Sequence, residues 1–429
     1  MNVRWWLLLG LAGQVMACRP NGSSNDGSAG GDDADGDGDG DGDGDADGDG
    51  DGDGDGDGDG DGDGDGDGDA DQPAFCDLSQ FAEVGVQWLE TTGSTVEGAA
   101  SIVWKLELTP SALYLAGLED AGSLSWPGFL EARALDGTVR WTKQVEKFTR
   151  SHLAWDGEYL YAALNKDVRR FTPDGVVDDW VIELDTIRGL DIADGVVGMV
   201  GTFVAQQGDP MFEDAFTAGY ETTKPPNPVW GEIIGLPEQD ETGEIIVGGV
   251  LGGWVAAGGT DSPTGDRVWL RGLGGAQIDV VLPFETFPIL KGLFGHADTV
   301  ILAGWRSEPD VRPWLASVSS SGEVLWERDH WVCGENVTSA LTAVAAAGDR
   351  LRAIVTVRTG AKEHMPIIAD FGFDGEPLGT VALAIDANHL TVPTLAVSEV
   401  DTYIGGLIVS PDGVPSRFVA LLDDLEGEQ

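Results

Sequence analysis

The 429-residue chain predicts an all-β fold, a single β-propeller of about seven four-stranded blades preceded by an acidic linker. Three observations predict it. A short strand-like phrase recurs seven times, Asp-Gly or similar turns separate the apolar runs around it, and helical periodicity is scarce.

The phrase is LYLAG at Leu113, LYAAL at Leu160, VGMVG at Val197, WVAAG at Trp254, VILAG at Val300, LRAIV at Leu351 and TYIGG at Thr402, spaced by 47, 37, 57, 46, 51 and 51 residues. Each is preceded by another apolar run and a tight turn, as in HLAWDGEYLYAAL and GLDIADGVVGMVG. Two β-rich runs joined by such a turn are a hairpin signal. A second hairpin follows in GFLEARALDGTVRW, VRRFTPDGVVDDW and RPWLASVSSSGEVLW, ending at Trp141, Trp180 and Trp326, and in MPIIADFGFDGEPLG, which ends at Gly379 without the Trp. Four strands in roughly 50 residues is the period of a propeller blade.

The seventh unit stops near its third strand, while EVGVQWLETTG (Glu83 to Gly93) precedes the first unit with no hairpin partner. Pairing these two leftovers would close the ring and remove an exposed sheet edge. The third unit is irregular. Its segment from Phe203 to Pro228 reads as a long polar, Pro-rich loop and a candidate recognition loop.

FLEARALDGTVRW and LASVSSSGEVLW resemble repeats of the quinoprotein-like (PQQ-like) β-propeller superfamily, over Ala82 to about Glu428. Quinoprotein dehydrogenases hold their cofactor with adjacent cysteines. No two of the three Cys are adjacent here, so the resemblance implies the fold and not that activity. An acidic Asp-Gly tether ahead of such a domain also resembles bacterial surface lipoproteins. The propeller lipoprotein of the outer-membrane β-barrel assembly machinery is one relative to weigh.

Residues 1–17 read as a lipoprotein signal peptide: Arg4, a short apolar run from Trp5 to Ala12, then small residues up to Cys18. Val15-Met16-Ala17-Cys18 resembles a lipobox, which implies a lipid (palmitate) on Cys18; an ordinary signal peptide cut near Ala17 is the alternative. Arg19 in second place, where inner-membrane lipoproteins carry Asp, points to the outer membrane or cell surface. The remaining cysteines, Cys76 and Cys333, form one candidate disulfide in an oxidising compartment, with two buried thiols as the alternative.

Residues 18–75 form the tether. From Asn21 to Asp71 the chain has 22 Asp and no Lys or Arg. The tract satisfies the first half of an EF-hand loop at every register but never supplies the Glu at position twelve. It therefore reads as a disordered, self-repelling linker, up to about 180 Å long if extended. Weak, diffuse calcium binding along Asp35 to Asp71 is compatible with that reading; no other cofactor is expected.

Residues 76–429 form the propeller and remain acidic, with 53 Asp and Glu against 22 Lys and Arg, so nucleic acid is an unsuitable partner. The five His are scattered among units, and phosphate-binding, nucleophile-elbow and dinucleotide motifs are absent. No catalytic residue is assigned. Trp141, Trp180 and Trp326 occupy one repeated position and read as blade packing. Trp230, Trp305, Trp314 and Trp331 lie off it and are the candidate binding residues. The expectation is a monomeric, non-catalytic, membrane-anchored module that binds a protein or glycan of the envelope. The alternatives are a propeller enzyme with a central-funnel site and an outer-membrane assembly factor.

Overall fold

In a computed structural model, the residues described are 75–423 except 94–99, 120–126, 146–150, 165, 185, 205–212, 236–239, 262–266, 283–287, 308–310, 331, 335–336 and 361–362. The signal sequence, Cys18, the Asp35–Asp71 tract and Trp331 lie outside them.

The strands form a seven-bladed propeller. Blade 1 spans Ile102 to Val145, blade 2 Ser151 to Glu183, blade 3 Thr186 to Ile234, blade 4 Asp240 to Leu282, blade 5 Ile289 to Asp329 and blade 6 Ser339 to Leu383. Each is an antiparallel meander of four strands running outward from the centre in chain order. Blade 7 takes three strands from His389 to Leu422 and its outer strand from the N-terminal side, Val86–Gly93. All seven recurrent phrases fall on second strands, such as Leu113–Leu118 and Thr402–Val409. These strands are flanked on both faces by neighbouring blades, so they read as unbroken apolar runs. Outer strands have one wet face and alternate, as Val139–Val145 does.

The core is divided into seven apolar slabs, one between each pair of adjacent blades. Outer-strand indoles extend these slabs. Trp88, Trp141 and Trp326 each lie over the glycine of the next blade's outer turn. A Cβ on Gly137, Gly175 or Gly375 would come within 3.1, 2.7 or 2.6 Å of the respective ring. These glycines also have positive φ, so both the turn and the indole require them. Trp141 Nε1 donates to Pro173 O at 2.8 Å, and Trp180 Nε1 donates to Glu221 O at 3.1 Å. In blade 4, Val280 takes the indole's place over Gly322.

The ring closes as the sequence leftovers suggest. Val86–Gly93 pairs antiparallel with Pro415–Leu422, and Ala82–Val84 adds in parallel to the outer edge of blade 6. A buried ionic network lies at the same joint. Arg417 of blade 7 donates to Glu119 and Glu131 of blade 1 at 2.5 and 3.2 Å, and Arg133 donates to Glu131 at 2.6 Å. All four side chains are at most 6 % exposed. Two cations balance two anions, and the Arg417 guanidinium lies 3.9 Å above the Phe129 ring.

One expectation needs correction. The segment from Phe203 to Pro228 is not a long loop, because Glu213–Glu221 is the third strand of blade 3, paired with Val196–Val204 and Pro228–Ile234. Phe216 and Ala218 are buried there, and flanking polar and proline residues hide the strand's short apolar pattern in the sequence.

Removing Arg417 strands two buried carboxylates against a single Arg133. Arg417→Met is expected to cost about 3–5 kcal/mol, read as a lowered denaturant midpoint, whereas the triple change with Glu119→Gln and Glu131→Gln should recover much of it.

Candidate functional site in the central channel

The first strands of the blades lie beside one another around the ring and wall its centre. Six of the seven carry a register shift that skips residues of the ladder: Trp104, Arg188, Glu244, Lys291, Thr342 and the pair Val392-Pro393. A bulge re-aims the side chain it frees. The same local step thus places a polar or aromatic residue at an equivalent level in most blades.

Several of these groups reach across seams. Arg188 Nη1 lies 2.8 Å from Glu244 Oε1, joining blades 3 and 4. Asp191 Oδ2 accepts from Gly248 N at 2.8 Å across the same seam. Thr342 Oγ1 donates to Val392 O at 3.0 Å between blades 6 and 7, and Thr394 Oγ1 accepts from Leu106 N at 3.0 Å between blades 7 and 1.

The most perturbed group is Glu107. It stands two residues from Lys105 on blade 1's first strand. Burial pushes its carboxyl up to about 7; Lys105 opposes the shift and Asp191 reinforces it. Burial also raises Asp191, against the N–H groups of Gly248 and Ile192 and against Lys105. Lys105, Glu107 and Asp191 are therefore one electrostatically coupled cluster, whose carboxyl can exchange a proton near neutrality. Among the described residues, no group of three or more His, Cys, Asp or Glu is arranged to hold a metal ion.

The four candidate tryptophans do not come together. Trp305 and Trp314 are 1 % and 0 % exposed, so neither presents a face to a ligand. They lie on the second and third strands of blade 5, between its neighbours. Trp314 Nε1 donates to Glu327 at 3.0 Å, and the Arg306 guanidinium sits 5.1 Å from the Trp314 ring. Trp230 is half-buried on the outer strand of blade 3, 6.1 Å from Trp254 of blade 4. It belongs with the seam indoles. Cys76 and Cys333 are joined, with an S–S distance of 2.05 Å. His296 stacks on Phe373 at 4.3 Å across the seam between blades 5 and 6. Burial pushes His330 down to about 4, leaving it neutral at physiological pH.

Lys105, Glu107, Arg188, Asp191 and Glu244 belong to no linear motif and so are not legible as a site in the sequence. The available signal was the phase of the repeat: RGLDIADG and KGLFGHAD place a basic residue and a glycine at the same distance before the turn.

No family model and no curated protein matches the chain. Several solved structures are similar to the chain, at low identity and with TM-scores below 0.5. BamB from Moraxella catarrhalis is 14% identical with a TM-score of 0.41, over 78% of this chain and 100% of that one. Kluyveromyces lactis Hsv2 is 9% identical with a TM-score of 0.44, over 76% and 100%. The periplasmic gluconolactonase PpgL of Pseudomonas aeruginosa is 11% identical with a TM-score of 0.43, over 74% and 94%. Likenesses at this level carry no argument about activity.

Two outcomes test these assignments. A folded-state value raised above the unfolded one means that Glu107's contribution to stability is full at pH below about 4.5 and is lost as pH rises through about 7. Glu107→Gln should therefore flatten the stability profile between those values, measured by urea unfolding at several pH values. Trp314→Ala should cost about 3–5 kcal/mol through the cavity it leaves, as urea unfolding would measure.

Proposed function

We propose that this chain is an exported lipoprotein, held through a lipid on Cys18 at the outer membrane or cell surface, whose propeller is a binding or scaffolding module for a protein or glycan of the envelope. The observation that carries the exported location is the Cys76–Cys333 disulfide, a bond that persists in oxidising compartments. It agrees with the signal-like N-terminus and the lipobox-like Val15–Cys18, which are independent features of the sequence. Binding is supported over catalysis by how the ring uses its ionisable groups. Arg188, Glu244, Asp191, Arg417, Glu119 and Glu131 hold blade to blade, which suits a rigid platform.

One observation favours a second reading, an enzyme with a central-funnel site: the Glu107 carboxyl is tuned near neutrality beside Lys105 and Asp191. Capture of envelope components on the whole chain separates the readings. A stoichiometric partner that Glu107→Gln still retains supports the platform. A small molecule that is bound and chemically changed only when Glu107 is intact supports the enzyme. Recovery of outer-membrane barrel components would direct the platform reading to envelope assembly.

Anchoring has its own test. Cys18→Ser should move the protein from the membrane fraction to the soluble envelope fraction, and unchanged fractionation would overturn the lipoprotein reading.

A further inference from the structure

The order of attachments along the N-terminal arm gives the disulfide a role beyond general stabilisation: we propose that Cys76–Cys333 is a mechanical clamp that keeps tension on the N-terminal segment from peeling open the ring. The proposal rests on the reading that the chain is held from its N-terminal side.

Entering the ring, the chain sets the exposed Phe75 ring 5.4 Å from the Arg358 guanidinium and then buries Cys76, which is 5 % exposed within the slab formed by Ile301, Leu315, Val337 and Leu351. Its N–H donates to Arg358 O at 2.8 Å, and its sulfur is bonded to Cys333 in the connection between blades 5 and 6. Beyond Cys76 come the short turn Leu78–Gln80, the three-residue strand Ala82–Val84 on blade 6, and only then the closing strand Val86–Gly93.

The register of the closing pair sets how it would fail. Val86 pairs with Leu422 and Gly93 with Ser416, while Gly85 O accepts from Asp423 N at 3.1 Å. The arm therefore enters the ladder at the end where blade 7's last strand leaves it. Load applied at those two points opens an antiparallel ladder one bond pair at a time, instead of shearing all its bonds together. Ala82–Val84 contributes only three residue pairs of resistance. With the disulfide formed, load entering from the N-terminal side passes from Cys76 directly to Cys333 and bypasses the segment from Asp77 to Gly93.

Single-molecule pulling of the full chain, held by its two ends, tests this. The Cys76→Ser/Cys333→Ser protein should show a small low-force step before the main unfolding events. That step should release about 60 Å, the contour of Asp77 to Gly93. The oxidised wild-type chain should lack it. An identical early step in the oxidised chain, or none in the serine variant, would overturn the proposal. If the serine variant does not fold, reductant added to folded wild-type molecules under the same load decides between the same outcomes. No lipid is involved, so failure here and failure of the Cys18 fractionation test are distinguishable.

Discussion

Everything in this fold depends on one non-covalent joint, the pairing of Val86–Gly93 with Pro415–Leu422. Six of the seven blade junctions are continuous in the chain. The seventh must bring together segments more than 300 residues apart and hold them against the entropy of that closure. The strand ladder alone does not distinguish one register from a neighbouring one. The buried network around Arg417 does. Arg417 lies on the strand that receives the closing segment, and it reaches Glu119 and Glu131 of blade 1, while Arg133 of blade 1 reaches back to Thr92 of the closing strand at 3.4 Å. A one-residue slip of the closing strand would turn its side chains to the opposite face and take Thr92 away from Arg133. Burying four charges is costly, so the network suits specifying closure better than adding net stability.

Between the blades the same problem is solved repeatedly. Each seam is a thin apolar slab, and most carry a polar or aromatic tie at the rim. The ties differ in chemistry: Trp141 over Gly175, Arg271 with Glu232, Arg352 with Thr402, Arg328 with Glu376. What recurs is the outer turn that receives Trp88, Trp141, Trp326 and Arg328. Asp136 and Asp374 each accept the N–H two residues on, at 3.0 and 3.1 Å, and the following glycine adopts positive φ. Asp-Gly inside the ring is thus a docking point for the neighbouring blade as well as a reversal of the chain.

Legibility followed burial. The seven second strands were plain in the sequence because burial on both faces leaves no polar interruption, and the closing strand was legible as an orphan at one end matched by a vacancy at the other. The third strand of blade 3 was not, since Phe216, Ala218 and Tyr220 alternate within a polar, proline-bearing stretch that resembles a loop when read alone. Trp305 and Trp314 fall outside the repeated indole position and yet are core residues. Trp314 is packed under Arg306, a pairing between strands that sequence spacing does not reveal. The channel cluster was invisible for the same reason. Glu107 and Asp191 are 84 residues apart, and only closure of the ring makes each part of the other's electrostatic environment.

The N-terminal arm compensates for a gap in this pattern. Blade 6 lacks the outer-strand indole, its third and fourth strands ending their repeat at Gly379, where a Cβ would meet no neighbouring atom within 4 Å. The seam between blades 6 and 7 is the one the arm crosses, pairing Ala82–Val84 with blade 6 and Val86–Gly93 with blade 7. Val84 is 6 % exposed in that seam's slab, beside Leu383, Ile385 and Leu422. A single continuous segment therefore supplies both the missing seam contact and the missing strand. At this seam a backbone tie between the two blades is added to the side-chain contact of Arg352 with Thr402.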